Sequence, residues 1–244
     1  MTRALVPEVI QTSMLDCGPA SLKSLLEGFG VRVSYGRLRE ACQTSVDGTS
    51  IDMLEEVAQM LGLDVAQRVV PVDHLLAPGA AALPCIAVVV LPTGVTHFVV
   101  LWRAHGGERG LVQVMDPGTG RRWMSASQVR AELYLHEMEV PADEWREAAA
   151  GDDFAGVVLS KLRALGVASA DALMGRALGD ATARSLSTLD AAARMVEDLV
   201  GVGGVARGDE ADRMAQGLFA RALEAPDAGD GGPIPDRYWS ARVA

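Results

Sequence analysis

The chain has 244 residues, a formal net charge of −10 and 49% hydrophobic residues. That length and apolar content allow one large domain or two small ones and exclude a chain that is disordered overall. The acidic balance, with a pI near 4.9, argues against a nucleic-acid partner and against binding to anionic membrane surfaces.

The N-terminus, Met1 to Pro7, carries no apolar core followed by a small-residue cleavage site, so no signal peptide is expected. Cys17 to about Gly28 reads as a helix with Asp16 as N-cap and a stripe of Leu22, Leu25 and Leu26; Gly28 and Gly30 stop it. Ser34 to Cys42 reads as a second helix. Ile51, Leu54, Val57, Ala58 and Leu61 share one face of a third, preceded by the loop Asp47-Gly48-Thr49, capped by Ser50 and ended by Gly62. The period then changes. Strands are expected at Val65–Pro71, Cys85–Leu91, Thr96–Trp102 and Gly110–Asp116, with weaker ones at Arg121–Met124 and Tyr134–Val140 and a short helix from Ser125. From His74 to Trp102 there is no charged carboxylate, lysine or arginine, but Pro78, Gly79, Pro84, Pro92 and Gly94 break the run. A spanning helix needs about 20 continuous apolar residues, so a membrane span is not expected. Helices followed by a mostly antiparallel sheet make an α+β domain.

Near Pro141–Ala150 the composition shifts to Ala, Leu, Arg and Asp. Amphipathic helices are expected at Asp153–Leu165, Ser169–Leu178, Thr182–Val200 and Asp209–Leu223, with glycine-rich joints at Gly201–Gly204 and Gly229–Gly232. The expected organisation is a first domain over 1–145, a helical accessory region over 146–225 and a loosely ordered tail over 226–244.

The most informative stretch is Gln11-Thr12-Ser13-Met14-Leu15-Asp16-Cys17-Gly18-Pro19-Ala20-Ser21. It puts a cysteine at a helix start, where unsatisfied N–H groups and the positive dipole end favour a thiolate. A cysteine hydrolase also needs a histidine and a group to orient it. Of the four histidines, His97 opens a strand beside a turn, where a sheet can present a side chain to a cleft. His105 falls in a hairpin turn over Ala104–Arg109 and reads as solvated; His74 and His136 read as packing or surface residues. Asp116 ends the strand after that of His97, and Pro117 fixes the turn. Gln11 could place its amide N–H beside the Cys17 backbone N–H as an oxyanion donor. Cys42 and Cys85 read as small buried hydrophobes. With no CxxC pair among three cysteines, no zinc site is expected, and no P-loop is visible, so no cofactor is expected. An odd cysteine count without a secretion signal points to a reducing, cytoplasmic compartment.

The joint order Gln11, Asp16-Cys17-Gly18, His97-Phe98-Val99-Val100-Leu101 and Asp116-Pro117 resembles the double-glycine peptidases, the papain-like domains of bacteriocin-processing ABC transporters. The resemblance runs from about Val6 to Val140. It implies Cys17 as nucleophile, His97 as general base and acid, Asp116 as its orienter and Gln11 as oxyanion donor. It also implies a precursor peptide with a double-glycine leader as substrate, coupled to export, and membrane and ATPase domains of a transporter as partners. A leader-binding module that does not cut, or another papain-like peptide hydrolase, are the alternatives. Gly203-Gly204 looks like a double-glycine site within the chain. However, Gly201 stands where such leaders carry an apolar residue, and self-processing is not expected.

Overall fold

The computed structural model describes residues 3–46, 48–106, 110–225 and 232–241. Two compact units are present: Met1–Ala77 with Ala82–Glu137, and Pro78–Ala81 with Met138–Ala244.

The first unit is an α+β fold built around one helix. α1 (Cys17–Gly28) buries nine of its residues, because both of its flanks are covered. Ala20 and Leu25 meet Val100, Trp102 and Met115 of the sheet together with Val6 and Val9 of the N-terminal segment. Leu22 and Leu26 meet Leu38, Leu54, Val57 and Ala58 of α2 (Tyr35–Ala41) and α3 (Ile51–Met60). Its buried hydroxyls are satisfied across these contacts. Ser21 donates to the Phe98 carbonyl at 3.2 Å, and Ser24 to the Pro7 carbonyl at 2.6 Å. Pro19 sits in the first turn, where its missing N–H costs nothing.

The sheet is an antiparallel meander in the order β1 (Cys85–Val90), β2 (Thr96–His105), β3 (Leu111–Asp116) and β4 (Gly120–Ser125). β2 is irregular between Leu101 and Arg103. A separate cluster of Leu76, Val89, Val99, Leu101, Val112 and Val114 packs with Ala126 and Val129 of α4 (Ala126–Glu132). The capping box of Ser125 and Gln128 starts that helix, as Ser50 starts α3 by accepting from the Met53 N–H.

Three local expectations differ from the structure. Residues 65–71 form no strand. Their backbone runs beside α3, held by side chains: Gln59 donates to the Val65 carbonyl, and Gln67 donates to Asp52 and Glu55. Val69 is exposed, so the β-branched composition there did not mean pairing. Tyr134–Val140 also form no strand; Leu133 makes one isolated bridge to Val89, and the Tyr134 N–H bonds to the Val88 carbonyl. Asp16 occupies the N-cap position but its side chain caps nothing, being taken by partners described below. Asp47 of the expected loop, and residues 107–109 of the expected hairpin turn, lie outside the described residues.

The second unit is helical: α5 (Ala142–Ala149), α6 (Ala155–Ala164), α7 (Ala170–Gly179), α8 (Arg184–Gly201) and α9 (Asp209–Glu224). α5 lies where the sequence read only as a boundary. Pro141 precedes it and Asp143 and Glu144 fill its first turn, as suits the positive end of a helix. α8 is the hub, packing against α6, α7 and α9 through Leu186, Leu189, Ala191–Ala193 and Val196. The described part of the tail, 232–241, is not loose: Ile234 and Tyr238 are buried, and the Tyr238 hydroxyl donates to Asp198 at 2.6 Å. Gly229 to Gly231 lie outside the described residues. No helix among the described residues is long and apolar enough to cross a membrane.

Candidate active site

The site grows from three tethered segments. The N-terminal segment is fixed first. Its Val6 N–H donates to Gln113 Oε1 at 2.7 Å, its Val6 carbonyl accepts from Arg121 at 2.8 Å, and the Gln11 N–H donates to the Pro117 carbonyl at 2.9 Å. That last bond ties Gln11 to the turn immediately after Asp116. Gln11 is half-buried, and its Oε1 is buried without a hydrogen-bond partner.

The second segment is the start of α1. Cys17 is its first residue, and the thiol interacts with the His97 imidazole and with the backbone N–H groups of Phe98 and Gly18. Burial pushes the thiol pKa up. The His97 hydrogen bond, those two amides and the imidazolium charge outweigh burial and leave it below the usual thiol value. The thiolate is therefore favoured by specific donors as well as by the helix end.

The third segment comprises the ends of β2 and β3. Val100 pairs with Met115, so continuing the register sets Asp116 opposite Val99, diagonal to His97 on the same face. His97 Nε2 donates to Asp116 Oδ1 at 2.9 Å, and both residues are buried. With Nε2 committed to Asp116, Nδ1 is the ring nitrogen left for the thiol. The Asp116 hydrogen bond, followed by that to Cys17, raises the His97 pKa to about 9 against the opposing effect of burial. Burial raises the Asp116 pKa, but His97, the Gly118 N–H at 2.8 Å and the Thr119 hydroxyl at 2.9 Å bring it down to about 2. Arg122 lies 3.5 Å from the second carboxylate oxygen.

Of the four residues singled out in the sequence, the structure thus couples Cys17, His97 and Asp116 directly and holds the Gln11 backbone on the Asp116 turn. Sequence reasoning missed the groups that hold Asp116. Asp116-Pro117-Gly118-Thr119 carried a usable signal, since an Asp side chain commonly accepts from N–H and hydroxyl groups two and three residues on. The involvement of Asp16 with Thr12 and Arg39 was also missed. Thr12 donates to Asp16 Oδ2 at 2.8 Å, and Arg39 to Oδ1 at 2.9 Å.

The other candidates stand apart. His74 is fully buried, and His105 is exposed at the end of β2, 5.7 Å from the Trp123 ring. His136 lies in irregular chain beside Tyr134. Burial pushes the thiols of Cys42 and Cys85 up to about 11 and about 12. Among the described residues no group of three or more His, Cys, Asp or Glu could hold a metal ion. Gly203 and Gly204 close α8: the Gly204 N–H bonds to the Leu199 carbonyl at 2.8 Å, Gly203 has a φ of 76°, and Val205 is buried.

A half-buried thiol facing an imidazole that is held by a carboxylate is the arrangement of a cysteine hydrolase. The chain belongs to the Peptidase C39 family, whose model matches residues 6–134. The lactococcin-G-processing and transport ATP-binding protein LagD of Lactococcus lactis subsp. lactis is 29% identical over 113 residues, covering 46% of this chain and 16% of that protein. The probable microcin-H47 secretion/processing ATP-binding protein MchF of Escherichia coli is 29% identical over 127 residues, covering 52% of this chain and 17% of that protein. The chain therefore spans about a sixth of the length of these curated relatives. Among solved structures, a double glycine motif protease from an AMS/PCAT transporter, in complex with its leader peptide, is similar with a TM-score of 0.46 and 26% identity over 54% of this chain and 88% of that one. The peptidase domain of Streptococcus ComA is similar with a TM-score of 0.47 and 25% identity over 52% of this chain and 92% of that one.

Proposed function

We propose that this chain is a cysteine endopeptidase that removes leader segments from ribosomally made peptides after a double-glycine pair, with Cys17, His97 and Asp116 as its catalytic residues and Gln11 as oxyanion donor. The carrying observation is the coupled thiol–imidazole–carboxylate array within the region matched by the Peptidase C39 family. The Cys17 thiolate attacks the carbonyl carbon of the second glycine. The developing oxyanion is met by the Cys17 N–H and the Gln11 amide. His97, protonated by its pairing, donates to the leaving amine as the tetrahedral intermediate collapses to a thioester. Neutral His97 then takes a proton from water, and the hydroxide releases the leader acid and restores the thiolate. Asp116 stays ionised throughout and holds the ring with Nε2 toward itself.

The leader specificity and the coupling to export draw on the relatives named for processing and for transport or secretion. The partners are a double-glycine precursor and the membrane and ATPase domains of such a transporter. Three free thiols fit a cytoplasmic location. The helices beyond Met138 lie outside the matched region, and we assign them an accessory role.

The test is to incubate the protein with a double-glycine precursor and to follow its mass, with Cys17→Ala as control. Cleavage after the second glycine by the wild type alone is the expected result. An intact precursor with folded wild-type protein refutes the reading.

A further inference from the structure

We propose that Asp16 is a positioning residue for the oxyanion hole: its buried carboxylate, anchored by Arg39 and bonded to Thr12, sets Gln11 relative to Cys17. The inference rests on the peptidase reading above and assigns to that site a residue outside the catalytic array.

Gln11 cannot be fixed by its own amide oxygen, which is buried without a partner. Its backbone, by contrast, is held from two sides. On one side the Gln11 N–H is held by the Pro117 carbonyl at 2.9 Å. On the other side the next residue, Thr12, donates its hydroxyl to Asp16 Oδ2 at 2.8 Å. Asp16 is fully buried and directly precedes Cys17, so this bond closes the loop 12–16 and fixes the distance between donor and nucleophile. The Asp16 N–H on the Ser13 carbonyl at 3.2 Å closes the same loop from within.

A buried carboxylate needs a partner, and here it comes from a different element. Arg39, on α2, donates from Nε to Asp16 Oδ1 at 2.9 Å while its own side chain stays half-exposed. The loop is thereby referenced to the helical layer rather than to its neighbours alone. An Asp at an N-cap normally spends its side chain on the helix's own N–H groups. This one does not, and it leaves the Gly18 N–H to the Cys17 thiol. The same residue therefore holds the loop and keeps the helix start available to the nucleophile.

The experiment uses the full chain and a synthetic double-glycine leader peptide with a fluorogenic amide after the second glycine. Thr12→Val is the primary variant, since Thr12 is exposed and valine keeps its shape while removing the donor. Asp16→Asn is the second. Each is measured alone and combined with Gln11→Ala, with the iodoacetamide alkylation rate of Cys17 as a check on the nucleophile. We expect kcat to fall about 5- to 20-fold in each single variant, less than the about 100- to 1000-fold of losing one oxyanion donor outright, with KM changed less than about twofold. In the Gln11→Ala background neither substitution should lower kcat further, and Cys17 alkylation should stay at the wild-type rate. Wild-type kcat in Thr12→Val, or losses that multiply with that of Gln11→Ala, overturns the inference. If Asp16→Asn fails to fold, Thr12→Val decides alone. If wild type does not cleave at all, the peptidase reading fails instead, and the two failures are distinct.

Discussion

Replacing Asp116 with Asn should move the alkaline limit of activity downward while leaving the site assembled. His97 rises from 6.5 to about 9, with the Asp116 hydrogen bond as the first cause and the Cys17 bond as the second. At about 1.4 kcal/mol per pH unit, that rise corresponds to roughly 3 kcal/mol favouring the imidazolium, of which Asp116 supplies part. Asparagine can still accept from His97 Nε2 through its oxygen, and Cys-His-Asn arrangements occur in papain-like peptidases. It cannot supply the charge. A group whose pKa is raised keeps its proton below that value and loses it above. The wild-type imidazolium, the proton donor to the leaving amine in the proposed mechanism, is therefore present up to about pH 9. Loss of the carboxylate charge should lower that limit by about 1–2 pH units. If the limit falls to roughly 7, about a tenth of His97 is protonated at pH 8, and kcat/KM there drops about tenfold. The assay is kcat/KM against pH on a double-glycine peptide, with the alkylation rate of Cys17 over the same range. An alkaline limb that stays near 9 in the variant, together with an unchanged alkylation profile, refutes the account of Asp116 as the source of the shift.

Gln11→Ala should lower kcat about 100- to 1000-fold while the alkylation rate of Cys17 stays near wild type, as measured by steady-state kinetics and timed iodoacetamide labelling. Limited labelling near neutral pH should modify Cys17 before the other two cysteines, read by peptide mass, because burial holds the thiols of Cys42 and Cys85 near 11 and 12. Gly28→Ala should destabilise the first unit by about 1–3 kcal/mol in urea unfolding. A Cβ there would stand 2.3 Å from Trp102 Cη2, and that buried indole is held by its N–H on the Arg3 carbonyl at 3.1 Å. An unchanged midpoint would mean that the indole moves aside freely.

The parts of the fold that could be read from the sequence were those in which a local pattern coincides with a packing role. α1, α3 and β1 to β3 each carry an apolar pattern that the structure buries, and Cys17, His97 and Asp116 sit at element ends that such patterns delimit. Most of the failures share one physical root. Val65–Pro71 is rich in β-branched residues like a strand, yet its neighbour is the exposed face of α3, and side-chain hydrogen bonds with that helix hold it. The Asp16–Arg39 pair joins residues 23 apart, and the Gln11 bond to Pro117 spans more than a hundred. Composition and spacing do not encode such long-range partners. α5 was hidden differently: a proline and two acids mark a helix start as well as they mark a linker.

The turn that ends α8 bears on how a peptidase of this kind would tell its substrate from itself. Gly203-Gly204 has the side-chain-free chemistry that a narrow cleavage channel would accept. Its amides, however, are spent on the carbonyls of Val200 and Leu199, and the residue after the pair is buried. To be cut, this peptide must be drawn out as an extended strand, which breaks those bonds and exposes Val205. Protection of the chain from its own kind would therefore rest on the local opening equilibrium at the end of one helix as well as on Gly201.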